Sequence, residues 1–286
     1  MRKTIFLLIL FMSNLLLSQK EVVKILRSDE LKAGKTKDHS KLVGDVALKY
    51  DNATLFCDSA EVNSITHDFK AWGNVFVNQN NELKAWGDSL DYEGKTKLGK
   101  LIGNVKMKSE NSLIKTSLLY FDKTNQVVYY LNGANTLQDN SRIYSKKGFY
   151  YTNTKYLRLK DSVSVNHPEY KIASDTLEYD TESKTSIFLG PTNINLENEE
   201  IYCEAGYYNR SLEIGQFEKK AVLTQKNQFI KADSIYFEKT TNFSEAFFNV
   251  VLIDTKENLK VEGQHGYFDR ENNISYITKD VLFSQG

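Results

Sequence analysis

The stretch that decides the reading is GNVFVNQNNELKAWGDSLDYEGKTKLGKLIGNV, residues 73–105. It begins and ends on one tripeptide, Gly73-Asn74-Val75 and Gly103-Asn104-Val105. Val75-Phe76-Val77 opens a first strand with the two-residue alternation of a half-buried sheet. Asn78-Gln79-Asn80-Asn81 is a polar turn, and the second strand carries a small residue, an acid, then Leu90 and Tyr92. Glu93-Gly94-Lys95-Thr96 turns the chain again, into a third apolar stretch that runs into the next Gly-Asn-Val.

Working outward, the small-acid pair recurs along the chain. It reads Ser28-Asp29, Cys57-Asp58, Gly87-Asp88, Thr116-Ser117, Ser145-Lys146, Ser174-Asp175, Cys203-Glu204, Ala232-Asp233 and Gly263-Gln264, at steps of 29 to 31 residues. The Gly-Asn-Val column lies about eleven residues upstream, from Gly44-Asp45-Val46 to degenerate copies such as Asn249-Val250 and Asp280-Val281. Self-similarity at a fixed period marks a stacked architecture, because one unit cannot bury its apolar face alone and neighbours supply the core. Tyr and Phe are abundant and Pro scarce, a strand-like composition. No window shows helical periodicity. The expected fold is therefore all-β, a solenoid-like or folded-over β-jelly-roll of about nine two-strand units of about 29 residues. Taking one unit per strand spacing of about 4.8 Å, nine units give a body on the order of 40 Å. On the same spacing Cys57 and Cys203 stand roughly 24 Å apart, beyond disulfide reach, and are expected to be small buried residues.

The N-terminus has a separate purpose. Arg2-Lys3 precedes an apolar run from Ile5 to Leu17 and the small Ser18. That pattern predicts a secretory signal peptide over residues 1–18, cleaved near Ser18, with the repeat domain over 19–286. The run is shorter than the roughly 20 residues of a membrane-spanning helix, and an uncleaved anchor is the alternative. Lys plus Arg equals Asp plus Glu, 37 each, so no basic field favours a polyanion and nucleic acid is not an expected partner.

No catalytic constellation emerges, and neither metal nor cofactor is expected. His39, His67, His167 and His265 occupy unrelated repeat positions, with no metal-ligand spacing. The acid column, Asp29, Asp58, Asp88, Asp175, Glu204 and Asp233, is broken by Ser117, Lys146 and Gln264. A calcium ladder or a glycosidase carboxylate pair is weighed against carboxylates that accept backbone N–H bonds at turns, and the last is preferred. Gly34-Lys35-Thr36 and Gly94-Lys95-Thr96 lack the earlier glycine of a phosphate loop. What remains are the apolar columns Val46, Leu48, Val75, Val77, Val105, Met107, Val163, Val165, Ile194, Leu196, Val250 and Leu252, which alternate with polar neighbours and should line one inner face. A closed dry core and an accessible groove fit that pattern equally.

The 73–105 unit, with Lys231-Ala232-Asp233-Ser234-Ile235-Tyr236-Phe237 and Ala173-Ser174-Asp175-Thr176-Leu177-Glu178-Tyr179-Asp180, resembles the repeat of the OstA-like / LptA family, periplasmic bridge proteins of lipopolysaccharide transport. Units around Gly133 and Gly190-Pro191 depart from it, which puts the regularity of the groove there in question. The resemblance implies a jelly roll bent into a V whose apolar interior carries lipid, with no catalytic residues. It makes the twelve column residues a lipid-groove lining. It also implies lipopolysaccharide as ligand, and as partners inner- and outer-membrane transport components or further copies joined by end-strand pairing. Periplasmic localisation follows, with outer-membrane association open. A chain of about a dozen carbons costs on the order of 10 kcal/mol to expose, at about 0.8 kcal/mol per CH₂, so a shielding trough makes physical sense. Two rivals stand beside this reading. One is a closed-core structural or adhesive solenoid that binds protein or glycan on its outer face. The other is an exported carbohydrate-active β-helix enzyme, which would need its carboxylates clustered at one place.

Overall fold

The Gly-Asn pairs do not begin strands; they sit in the middle of them. In the computed structural model, which describes residues 22–286 apart from Lys35, Lys37, Asn111, Asp139 and Asn273, the strand holding Gly73-Asn74 starts at Phe69, four residues earlier. The signal-peptide reading of residues 1–18 lies outside the described residues.

The chain opens with two short strands, β1 (Lys24–Arg27) and β2 (Glu30–Ala33). Six long ones follow: β3 (His39–Tyr50), β4 (Ala53–Asn63), β5 (Phe69–Gln79), β6 (Leu83–Glu93), β7 (Leu98–Lys108) and β8 (Ser112–Asp122). Four half-strands come next, β9 (Val127–Tyr130), β10 (Ala134–Gln138), β11 (Ser141–Ser145) and β12 (Lys147–Tyr151). Eight more long strands are β13 (Tyr156–Asn166), β14 (Tyr170–Asp180), β15 (Thr185–Leu196), β16 (Glu200–Asn209), β17 (Ile214–Gln225), β18 (Gln228–Glu238), β19 (Phe243–Asp254) and β20 (Leu259–Asp269). Two short ones, β21 (Ile274–Thr278) and β22 (Leu282–Gln285), end the described chain. All pairings are antiparallel; consecutive long strands pair with each other, and the short ones lie two to a rung, end to end, each pairing with the rung or rungs beside it.

Every second long strand carries a bulge at one place, and the strand it faces bends with it. Trp72 faces Ser89 and Val75 faces Gly87, so Gly73 and Asn74 together oppose the single residue Asp88. The same two-against-one step recurs at Gly44-Asp45, Gly103-Asn104, Asp161-Ser162, Gly190-Pro191, Lys219-Lys220 and Phe248-Asn249. Such a bulge bends its strand and strengthens the local twist. The residues inserted are left-handed, Gly73 at φ 74° and Asn74 at φ 49°, a conformation glycine adopts freely and asparagine tolerates. Repeated in register, the bend folds the whole sheet into two facing arms. One arm carries the valine of Gly-Asn-Val, the other the Leu-x-Tyr pattern; we call them the valine and tyrosine arms.

The acid column belongs to this bend. Asp58 accepts a bond from the Asn74 side-chain amide at 2.9 Å, Asp88 from Asn104 at 2.9 Å, and Asp233 from Asn249 at 2.9 Å. Glu204 accepts from Lys220 Nζ at 2.7 Å. The recurrent donor is thus a side chain of the facing left-handed step, not the backbone N–H expected. Among the described residues no group of three or more His, Cys, Asp or Glu side chains is placed to hold a metal.

Two expectations change in scale. A unit of about 29 residues spends itself on two bent strands, so it advances two strand spacings, and the four split rungs reduce 22 strands to 18 rungs. At about 4.8 Å per rung the stack is on the order of 80 Å long, twice the expected length. Cys57 and Cys203, ten rungs apart, are separated by roughly 48 Å. Both are free and buried. The irregularity expected near Gly190 is absent, because Pro191 falls in the bulge, where the ladder needs no N–H from it. At Gly133 the strand does break, into β9 and β10.

Two measurements test this framework. A Cβ on Gly73 would lie 2.3 Å from Asp58 Oδ2, and φ is left-handed there, so Gly73→Ala lowers stability by about 2 kcal/mol. At Gly99 an added Cβ meets nothing closer than 3.5 Å, and Gly99→Ala is near neutral; denaturant midpoints followed by tryptophan fluorescence separate the two. Burial pushes the Cys57 thiol up to about 11 and the Cys203 thiol up to about 12. Thiolate is the reactive form, so at pH 8 Ellman's reagent leaves both untouched in the folded protein and modifies both in denaturant.

Candidate functional site

The facing arms do not enclose one uniform interior. Buried side chains fall into two clusters, one from Leu42 to Ala134 and one from Leu159 to Phe268. Between them stands a polar septum at the half-strands. Tyr130 lies against Gly148, and its hydroxyl meets Ser145 Oγ at 2.6 Å, while Thr116 Oγ1 donates to the Gly133 carbonyl at 2.7 Å. These groups satisfy one another, as buried polar groups must.

In the N-terminal half the arm tips close on each other. Tyr50, at the valine-arm tip of β3, meets Tyr92 of the tyrosine arm hydroxyl to hydroxyl at 2.8 Å, and its ring packs on Tyr92 and Phe69 at centroid distances of 5.0 and 6.2 Å. Lys123 reaches across to Asp51 at 2.8 Å and lies 5.1 Å above the Tyr50 ring.

A pocket of the N-terminal half, about 430 Å³, lies at the tyrosine-arm tips among polar side chains such as Asn63, Asp68, Lys70 and Asp91, whereas the C-terminal half holds a cavity of about 360 Å³ between the arms. Its valine-arm wall is built from Ile143, Val165, Ile172, Ile194, Leu196 and Ile201. The tyrosine arm contributes Leu157, Leu159, Leu177, Tyr179, Phe188, Tyr208, Phe217 and Phe237. Polar groups gather at its rim: Gln138 and Glu169 on the valine arm, Arg210, Glu213 and Lys239 on the other. Burial pushes the Tyr208 hydroxyl up to about 12, so it stays a neutral hydrogen-bonding group at physiological pH. An apolar interior with a charged rim suits an amphiphile, and the volume lies at the small end of ligand pockets, roughly 300–1,000 Å³.

At the far end of this half the tips meet again. Glu199, in the β15–β16 turn on the valine arm, pairs with Arg270, just after β20 on the tyrosine arm, and both side chains are only 12–13% exposed. Arg270 also donates to Ser244 Oγ at 3.1 Å and lies 5.7 Å over the ring of Phe237, a cavity wall residue. Burial lowers the pKa of Arg270, and the Glu199 charge opposes that shift.

The twelve column residues all stand on the inner face of the valine arm, but the fold separates them. Val46, Val75, Val105, Val163 and Val250, beside the bends, are at most 2% exposed and form a dry spine. Val165, Ile194 and Leu196 line the cavity; Val77 and Leu196, nearer the tips, are half-buried. Leu48, Met107 and Leu252 are buried away from the cavity. The expectation missed the whole tyrosine-arm wall, although its signal, the Leu177-x-Tyr179 and Ile235-x-Phe237 pattern, stood in the repeat. The histidines lie apart: His167 stacks on Tyr170 at 4.5 Å and His265 Nε2 meets Glu245 at 2.7 Å, while His39 and His67 are near the start of β3 and in the β4–β5 turn. No described helix is long and apolar enough to cross a membrane, which says nothing of β-barrels.

With this geometry in place, comparison with known proteins adds three findings. A family profile described as OstA-like protein matches residues 20–175 and 139–231. No curated protein matches the chain. Among solved structures, LptH from Pseudomonas aeruginosa, described as the LptA-homologous periplasmic component of the lipopolysaccharide transport device, is similar at 17% identity and a TM-score of 0.34, over 36% of this chain and 79% of its own.

The position of the cavity is open to a direct check. Leu196 is a half-buried tip residue beside free volume, whereas Val163 sits in the dry spine at 2% exposure. Leu196→Trp fills space and shifts the thermal midpoint little; Val163→Trp overpacks and costs about 3 kcal/mol or more. Equal losses in melting experiments on the two variants would show that no such volume exists.

Proposed function

Since this chain belongs to the OstA-like protein family, we propose that it is a lipid carrier of the lipopolysaccharide-transport kind, exported to the periplasm and doing no chemistry of its own. Transport is a property argued at the level of the family. The finer reading is that the hydrocarbon of a lipid A-type ligand enters the C-terminal cavity and passes from inner towards outer membrane. The observation that carries it is the apolar volume of about 360 Å³ held between two arms with charged groups at its rim. In this closed form it takes little more than one hydrocarbon tail, so a ligand with several tails requires the arms to spread.

The N-terminal half favours the scaffold reading for itself, because its tips are closed by Tyr50, Tyr92 and Lys123 over a dry spine. We assign it the part of a rigid spacer. For partners, the end rungs support docking by strand pairing. Leu26 and Leu31 in β1 and β2 are 54% and 58% exposed, and Tyr276, Leu282 and Phe283 in β21 and β22 are 62–66% exposed. Exposed apolar edge strands are pairing surfaces, and either a membrane-bound transport component or a second copy would fit them.

A photo-reactive amino acid placed in cells at Leu157, Tyr179 or Leu196 is expected to capture lipopolysaccharide, identified by immunoblot and mass spectrometry. The same group at Lys231, on the outer face, or at Val75, in the sealed half, is expected to capture none. Capture at none of the three cavity positions sinks the carrier reading.

A further inference from the structure

Among the described residues two ion pairs cross the mouth of the fold, and they have the same construction. Asp51 and Lys123 are 72 residues apart, Glu199 and Arg270 are 71, and in each case a valine-arm turn holds a tyrosine-arm turn five rungs further along. The twist of the sheet brings these distant tips together. Their surroundings differ. The Asp51 and Lys123 side chains are 47% and 36% exposed and cover packed aromatic rings, so solvent screens that pair. The Glu199–Arg270 pair is nearly buried and leans on Phe237, in the wall of the cavity.

We propose that the Glu199–Arg270 pair is the clasp of the cavity, and that loading exchanges the Glu199 carboxylate for the anionic head group of the incoming lipid, which Arg270 then holds. This rests on the carrier reading above and adds to it the residue that selects the ligand. The physical ground is the burial of the guanidinium. Separating a buried pair leaves an uncompensated charge, which is strongly unfavourable unless a new anion arrives. Arg270 is anchored on the tyrosine arm by Ser244, itself fully buried, and stacked on Phe237, so it stays at the cavity when the valine-arm tip moves away. Its planar fork of donors matches a carboxylate or a phosphate equally. Arg210 and Lys239 stand on the same arm at the rim and draw the same charge towards it. A neutral amphiphile offers nothing to replace Glu199, and the clasp discriminates against it.

The test uses the full mature chain at pH 8 with two probes, cis-parinaric acid, a fluorescent polyene fatty acid that is anionic there, and its neutral methyl ester. Wild type is expected to bind the acid about tenfold more tightly than the ester. Glu199→Gln frees Arg270 and speeds loading of the acid by about tenfold, whereas Arg270→Gln brings the acid-to-ester ratio to about one. The double variant Glu199→Gln/Arg270→Gln removes both charges together and guards against a single variant that fails to fold. It loads both probes fast and without preference. Asp51→Asn, at the other crossing, behaves as wild type. If the double variant loads at the wild-type rate and keeps the preference for the acid, the clasp is refuted while the carrier reading stands. If neither probe binds wild type or any folded variant, the carrier reading itself fails.

Discussion

Every second long strand of this molecule turns at a left-handed step, and the step works because two residues on one strand can face a single residue, most often an acid, on the next. The consequence is geometric. On the strand with Gly73-Asn74 the inward residues keep their parity across the bend, Ala71 to Val75, while on the facing strand parity flips, Cys57 to Ala60. A sheet that accumulated such steps at random would be disordered. Set at one height in successive rungs, they crease the sheet along a line and bring its two halves face to face. The carboxylate of the facing strand, bonded to the side chain opposite, pins the crease.

Within that frame the interior is decided by what meets across it. Beside the crease, five valines leave no space, and this holds in both halves. Towards the tips the halves diverge. Tyr50, Phe69 and Tyr92 fill the N-terminal gap with one another. In the C-terminal half the large rings, Phe188, Phe217 and Phe237, lie on the tyrosine arm, and the valine arm opposes them with Ile194, Leu196 and Ile201. The polar septum at Tyr130 and Ser145 divides the two regimes. One continuous ladder thus has a closely packed portion and a portion with free volume between its arms.

Much of this was legible in the residues, and some was not, for identifiable reasons. The period and the all-β class follow from alternation and from the nine copies of the small-residue pair, six of them with an acid, since inward positions must repeat when rungs stack. The inner face of the valine arm was legible too, because Val75-x-Val77 and Val163-x-Val165 alternate with polar neighbours. The rung count was not: a period of 29 residues does not say whether it spends itself on one rung or two, and the error halved the expected length. The inner face of the tyrosine arm escaped because Leu177 and Tyr179 turn inward only after the parity flip at Asp175, which depends on the bulge in the facing strand.

The residues alone therefore determined that this chain would stack bent strands at a regular interval, since each unit's alternation and its Gly-Asn and acid pair are local facts repeated along the chain. Only the tertiary structure decided where the interior stays open and which turns meet across its mouth. Glu199 and Arg270 touch because twist, summed over five rungs, carries one tip over the other. No single unit contains that sum.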